Sequence, residues 1–197
     1  MTVTSYEEFV EELRRRRDGE APQMSNIAIY EMARTLESRS SHGHRSLLLD
    51  IGCGPSKAPG HIGLDHHSFP GVDVVRDIRR GLPFDDDSFD GVRMHHCLEH
   101  FGGEDLLFLV NEVWRVVRPG GILEITVPDA TSPNRYRDPT HLTRDWSEDS
   151  FMLWEVNDKG EWPIFVGPSY DRRAKLRRLT TAVNPNRDRL YRMEVVK

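Results

Sequence analysis

Asp50-Ile51-Gly52-Cys53-Gly54, Asp65, Asp77 and the histidines at positions 96, 100 and 141 are the side chains of this 197-residue chain whose types and spacing can do chemistry. The first run stands where the apolar stretch Leu47-Leu48-Leu49 gives way to glycine. Glycine admits φ > 0 and lets a backbone approach a ligand closely, so a ligand-cradling turn is expected there. A dinucleotide turn is one reading. It needs G-x-G-x-x-G opening a helix, so that a pyrophosphate rests on the helix N-terminus. In this chain the sixth position is Lys57, and Pro55 and Pro59 leave no room for a helix to open. The phosphate cradle fails at the residue that carries its mechanism. Asp50 also has a plainer use, capping the loop by accepting from nearby backbone N–H groups.

The histidines suggest acid–base work, because imidazole titrates near neutral pH and an oxygen nucleophile needs a base there. His141, in the irregular segment Asp138-Pro139-Thr140-His141, is a candidate base or substrate ligand, and His96 and His100 are two more. Each also has a structural reading, as a histidine that braces a loop. His96 and His100 stand at i, i+4 and share a face if that segment is helical. A zinc pair at this spacing wants H-E-x-x-H, whereas the acid present is Glu99, beside the second histidine. No third ligand is evident, and no metal is expected. Cys97 has no activating partner in the sequence and is expected to be buried.

The elements that must position these groups emerge from hydrophobic period. Ser5-x-x-Glu8 has capping-box spacing, and Tyr6, Phe9, Val10 and Leu13 continue on one helical face, predicting a helix from Ser5 to Arg17. Ile29, Met32, Ala33 and Leu36 predict a second helix, Asn26 to Ser38. The period then changes. Leu47 to Ile51, Ile62 to Asp65, Val72 to Val75 and Phe89 to Met94 read as short strands, the first continuous enough to be buried on both faces. Leu106, Val110, Val113, Trp114 and Val117 make a helical stripe ended by Arg118-Pro119-Gly120-Gly121, and Ile122 to Val127 is the next strand. Beyond Pro128 the pattern predicts a helix over Ser147 to Glu155 and strands at Ile164 to Val166 and Tyr191 to Val196. Strands alternating with helical segments predict a parallel, doubly wound sheet.

Leu49-Asp50-Ile51-Gly52-Cys53-Gly54 resembles the first motif of class I S-adenosylmethionine-dependent methyltransferases, and the likeness continues downstream. It implies that Asp65 holds the two ribose hydroxyls of the cofactor, and that Asp77 accepts from the adenine amino group with Ile78 beside the ring. Asp50, Gly52, Cys53, Gly54, His66 and His95 complete the expected cofactor set. Asp85 to Asp90, Leu98-Glu99-His100 and Arg118 to Gly121 are similar to the family's segments around its fourth and fifth strands. The cofactor is a sulfonium cation without phosphate, which acids suit and a phosphate cradle does not. One departure matters. Gly54 to Asp65 is 11 residues, where a Rossmann-like unit spends about 20 with a helix between. The first crossover helix is expected to be vestigial or absent, which resembles a short, type 11-like subgroup whose D-P-T-H segment stands where Asp138 to His141 stand.

Composition bounds the partners. Charged residues are 30% and the net charge is −5, so the molecule as a whole is no obvious polyanion binder. From Asp171 to Lys197, however, nine Lys/Arg face three Asp/Glu. This basic segment reads as a solvated, partly mobile tail, as a lid over an anionic substrate, or as a nucleic-acid or partner contact. Two cysteines without C-x-x-C spacing fit a reducing compartment, and no apolar run is long enough for a membrane span. The expected architecture is α/β, a Rossmann-like, doubly wound, mostly parallel sheet of seven or six strands. An N-terminal helical cap over residues 1–45 would precede a methyltransferase domain over 46–197. The expected function is cytoplasmic S-adenosylmethionine-dependent methyl transfer to O or N of a small-molecule or peptide acceptor. The alternatives are a cofactor-binding accessory or regulatory protein without turnover, and a nucleic-acid methyltransferase using the basic segment.

Overall fold

Leu47 to Ile51 lacks polar alternation because both faces of its strand are covered. The computed structural model, which describes residues 46–163 and 170–197, buries Leu49, Asp50 and Ile51 completely. This strand, β1 (Leu48–Ile51), is central. On one side it pairs in parallel with β2 (His61–Asp65), and β2 pairs with β3 (Val74–Val75). On the other side it pairs with β4 (Phe89–His95), and β4 with β5 (Val117–Pro128). Two further strands, β6 (Lys175–Val183) and β7 (Asp188–Val196), close the sheet antiparallel, giving the order β3-β2-β1-β4-β5-β7-β6. The expected doubly wound sheet is present, with seven strands.

The helical stripe forms α1 (Gly103–Val116), the only α-helix among the described residues. It buries Leu109, Val110, Val113 and Val116, and Glu104 and Asp105 in its first turn complement the helix dipole. Arg115 in the last turn ties the helix to the loop before β4, donating to Glu112, Asp86 and the carbonyls of Leu82 and Phe84. No helix connects β1 to β2. Nine residues, Gly52 to Gly60, make that crossing as a loop of turns.

Three expectations change. Arg118 to Gly121 does more than end the helix; it lies inside β5, which begins at Val117 and shifts register opposite Phe89 and Gly91. Ser147 to Glu155 is not a helix but a chain of tight turns, with Ser150, Met152 and Trp154 each donating to a carbonyl three residues back. Its apolar spacing serves an aromatic cluster instead: Phe151 packs between Trp146, Trp154 and Tyr191, with ring centroids 4.7–5.8 Å apart. The basic segment is not a solvated tail, since most of it is the β6–β7 hairpin. Its arginines pair with acids of the same sheet and the adjoining turns: Arg177 with Glu194, Arg178 with Glu155, and Arg189 with Asp129. The predicted helices Ser5 to Arg17 and Asn26 to Ser38, the cap over 1–45 and the strand Ile164 to Val166 lie outside the described residues.

Candidate active site

From β1 the chain steps outward to β2 and β3, and from β4 outward to β5, so the order reverses between β1 and β4. Open α/β sheets bind ligands outside the carboxyl ends of their strands at such a point. A cleft of about 680 Å³ opens there. The residues at and just past each strand end build its wall: Gly52 after β1, Asp65 and His66 at the end of β2, Asp77 and Ile78 after β3, and His96, Cys97, His100 and Phe101 after β4. Thr140 and Leu142, from the segment beyond β5, complete the far end.

Local chemistry explains each placement. Gly52 has φ +66°, and a Cβ on it would lie 2.5 Å from the Cys97 sulfur, so backbone and neighbour both demand glycine. Its N–H donates to the Leu64 carbonyl at 2.8 Å, joining the first turn to β2. Asp65, 6% exposed, accepts from the backbone of Gly54 (2.9 Å) and His67 (2.9 Å), one on each oxygen. An ionised carboxylate has roughly four acceptor positions, so Asp65 retains capacity toward the cleft. Asp77 caps the short 3-10 turn Ile78–Arg80 and pairs with Arg79, whose hydrogen bonds are the largest influence holding the Asp77 carboxyl below its ordinary range. The cations of this wall are thus engaged: Arg79 with Asp77, and Arg76 with the carbonyls of Arg80 and Gly81.

At the opposite end, His96 has φ +52°, a left-handed conformation that costs a non-glycine residue energy and clusters at functional sites. Its ring lies between two buried acids, with Nδ1 3.0 Å from Glu99 and Nε2 3.8 Å from Asp188. The hydrogen bond to Glu99 is the largest influence and raises the His96 pKa against the opposing effect of burial. His95, one residue before, moves the other way: burial, then the charges of His96 and Arg93, lower its pKa. Cys97 is buried and its thiol is pushed far up, chiefly by desolvation, so it is no nucleophile.

Of the residues singled out from the sequence, Gly52, Asp65, His66, Asp77, Ile78, His96 and His100 converge on this cleft. Asp50, Cys53, Gly54, His95 and His141 are not among those that line it. Asp50 is fully buried and accepts from Ala58 N at 2.8 Å and from Arg93, its cross-strand neighbour on β4, at 3.0 Å. It is a post for the loop, in keeping with its capping role. The Cys53 thiol is buried and pushed up to about 12, first by desolvation and then by Asp50 and Asp65. His141 is 7% exposed, with Nδ1 3.3 Å from the Arg135 carbonyl and its ring edge-on to His100 at 4.9 Å. Sequence reasoning missed Phe101, Thr140 and Leu142 as lining residues. It also gave Glu99 no role of its own, although a carboxylate between two histidines was a signal.

A methyltransferase-domain family model matches residues 59–125, which run from the β1–β2 loop into β5. Over 63 residues the chain is 48% identical to phthiotriol/phenolphthiotriol dimycocerosates methyltransferase 1 of Mycobacterium ulcerans, covering 30% of this chain and 21% of that protein. Over 58 residues it is 50% identical to the Mycobacterium tuberculosis enzyme named for the same reaction, covering 28% and 20%. The match thus spans about a fifth of the length of these relatives. Among solved structures, 1,6-didemethyltoxoflavin-N1-methyltransferase of Burkholderia thailandensis, with bound 1,6-didemethyltoxoflavin and S-adenosylhomocysteine, shares the fold at TM-score 0.52 and 14% identity, covering 96% of this chain and 87% of that one. The PH0226 protein of Pyrococcus horikoshii shares it at TM-score 0.53 and 15% identity, covering 88% and 92%. The methyltransferase-domain match thus covers the middle of the sheet, and across most of its length the chain has the fold of the Burkholderia methyltransferase.

Proposed function

We propose that this chain binds S-adenosylmethionine in the cleft and transfers its methyl group to an oxygen or nitrogen of a small-molecule acceptor. The observation that carries the reading is the juxtaposition of Asp65 and Asp77, from the tips of neighbouring strands, on one cleft at the point where the sheet reverses its order. The donor set fits the group. Two carboxylates with spare acceptor capacity stand on this wall, the cations nearby are engaged, and no phosphate cradle is built. The cofactor, when bound, supplies a methyl carbon activated by its sulfonium leaving group.

The chain's own residues bind, orient and exclude water. Asp65 takes the ribose hydroxyls, Asp77 the adenine amino group, and Ile78, only 6% exposed, supplies an apolar face beside the ring. Gly52 keeps that floor open. The acceptor lies toward His96, His100, Phe101, Thr140 and Leu142, where aligning a nucleophile with the methyl carbon is the main catalytic task. His96, held toward its cationic form by Glu99, serves there as a hydrogen-bond donor rather than as the base. The acceptors named for the Mycobacterium relatives, phthiotriol and phenolphthiotriol dimycocerosates, support a small-molecule acceptor over a peptide. The pairing of Arg177, Arg178 and Arg189 within the sheet weakens the motive for a nucleic-acid acceptor. No helix among the described residues is long and apolar enough to cross a membrane.

Calorimetric titration with S-adenosylhomocysteine tests this. Stoichiometric binding is expected, weakened about 100-fold in Asp65→Ala, the loss of roughly two charge-assisted hydrogen bonds. No binding, or binding unaltered in Asp65→Ala, defeats the reading.

A further inference from the structure

The turn after β4 and the segment beyond β5 are laced together by backbone. Leu142 N (2.8 Å) and Thr143 N (3.1 Å) both donate to the Glu99 carbonyl, and the Thr143 hydroxyl donates to the Phe101 carbonyl at 2.6 Å. This lacing sets His141 against Glu99 and His100, so that one ligand atom from each lies within 4.8 Å of the others. Glu99 is 1% exposed. Its Oε1 is held by His96, while its Oε2 is buried without a hydrogen-bond partner. A buried carboxylate oxygen without a partner is costly, and native structures reserve such groups for a reason.

Both histidines are pre-set for a ligand. His141 Nδ1 lies 3.3 Å from the Arg135 carbonyl, which can only accept, so Nδ1 carries the proton and the neutral ring's lone pair is on Nε2. His100 Nδ1 lies 3.0 Å from the Thr140 hydroxyl, which itself donates to Asp138 at 2.6 Å. With its proton directed to Asp138, that hydroxyl accepts from His100 Nδ1, and the lone pair again falls on Nε2. Metal-bound histidines are oriented in this way, each giving its other N–H to a carbonyl or a carboxylate-linked group. Two imidazole nitrogens and one carboxylate form the ligand set of a three-ligand zinc site with an open fourth position.

The geometry points to a divalent-cation site of zinc type formed by Glu99, His100 and His141, its fourth position open to the cleft. Ligands of one tetrahedral ion stand roughly 3.4 Å apart, so binding draws the three together by about an ångström. His100, the one of the three that is not buried, has room to move. Of the three, His100 lines the cleft, on the same wall as Thr140 and Leu142, so the open position would face the acceptor end from its side. An acceptor hydroxyl bound there would release its proton to water more readily. That use rests on the methyl-transfer reading; the site itself does not.

The full chain, freed of metal, is titrated with Zn²⁺ by calorimetry and with Co²⁺ by visible absorption. One equivalent is expected, with tetrahedral Co²⁺ bands. His141→Ala and Glu99→Gln should each lower affinity by far more than tenfold, and Thr140→Val, which removes only the orienting acceptor, by about tenfold. Failure to reach saturation at one equivalent overturns the site. So does one-equivalent binding that survives His141→Ala. Should Glu99→Gln not fold, His141→Ala and Thr140→Val decide the matter alone. S-adenosylhomocysteine affinity, measured on the same samples, reports separately on methyl transfer. Metal binding without cofactor binding supports the site while defeating that reading, and cofactor binding without metal does the reverse.

Discussion

The tips of β1–β3 and the β6–β7 hairpin both gather charge, and they use it in opposite ways. In the hairpin each of the main arginines meets an acid of the same sheet or its adjoining turns, and Arg189 reaches a 2% exposed Asp129 at 2.6 Å. That charge is structural: it fastens two antiparallel strands to the end of a parallel sheet. At the strand tips, Asp65 is held by backbone N–H groups and faces a cleft. Asp50, fifteen residues earlier, shows both behaviours are available to the same residue type, for its oxygens are occupied by Arg93 and Ala58 N. The count of charges locates neither role. What decides is whether the partner comes from the fold or is left for a ligand.

The contrast can be broken most strongly at Arg189. Arg189→Ala strands a buried carboxylate and should cost about 3 kcal/mol in a denaturant titration, while S-adenosylhomocysteine affinity of the folded protein stays within twofold. A large loss of cofactor affinity there would erase the distinction between the two regions. Asp50→Ala comes next. It leaves the Arg93 guanidinium and Ala58 N–H without their acceptor and should cost about 2 kcal/mol of stability, against the mainly affinity-lowering Asp65→Ala. If Asp50→Ala instead leaves stability intact and abolishes cofactor binding, Asp50 belongs to the site after all.

Acid titration sharpens the hairpin side. Burial opposes the charge of Asp129, but hydrogen bonds from Thr131 and Arg189 outweigh it and hold the carboxyl below its ordinary range. A carboxyl depressed in the folded state contributes stability above its unfolded value, about pH 4, and loses it as pH falls through the folded value. Melting temperature should therefore fall below about pH 4, and Asp129→Asn should flatten that fall. The smallest effect is expected at Arg177, whose pair with Glu194 is half exposed. Arg177→Ala should change stability by less than about 1 kcal/mol, less still in high salt.

Much of the fold is legible in the sequence. A continuous apolar run stopped by glycine announces β1, and the 11 positions from Gly54 to Asp65 leave no space for a crossover helix, which the loop Gly52 to Gly60 bears out. The stripe from Leu106 to Val117 announces α1, and the alternation of strands and helix the parallel sheet. Ser147 to Glu155 misleads because its apolar spacing suits a helix, while Phe151 and Trp154 satisfy it by packing as turns under Tyr191. The basic hairpin escapes notice because alternation in β6 is weak: its buried residue, Leu176, precedes arginines whose partners are 17 and 23 positions away in sequence.

Local patterns, then, were enough for the strand tips and for which acids and histidines could matter, because hydrophobic period and glycine placement act within a few residues. Long-range pairing was needed to separate Asp50 from Asp65, through a register that sets Arg93 beside one and not the other. It was needed again to bring His141 across 41 residues of chain to Glu99 and His100. Hydrogen bonds between segments distant in sequence leave no periodic trace in either segment, so only the folded sheet could show which side chains had found partners and which still lacked one.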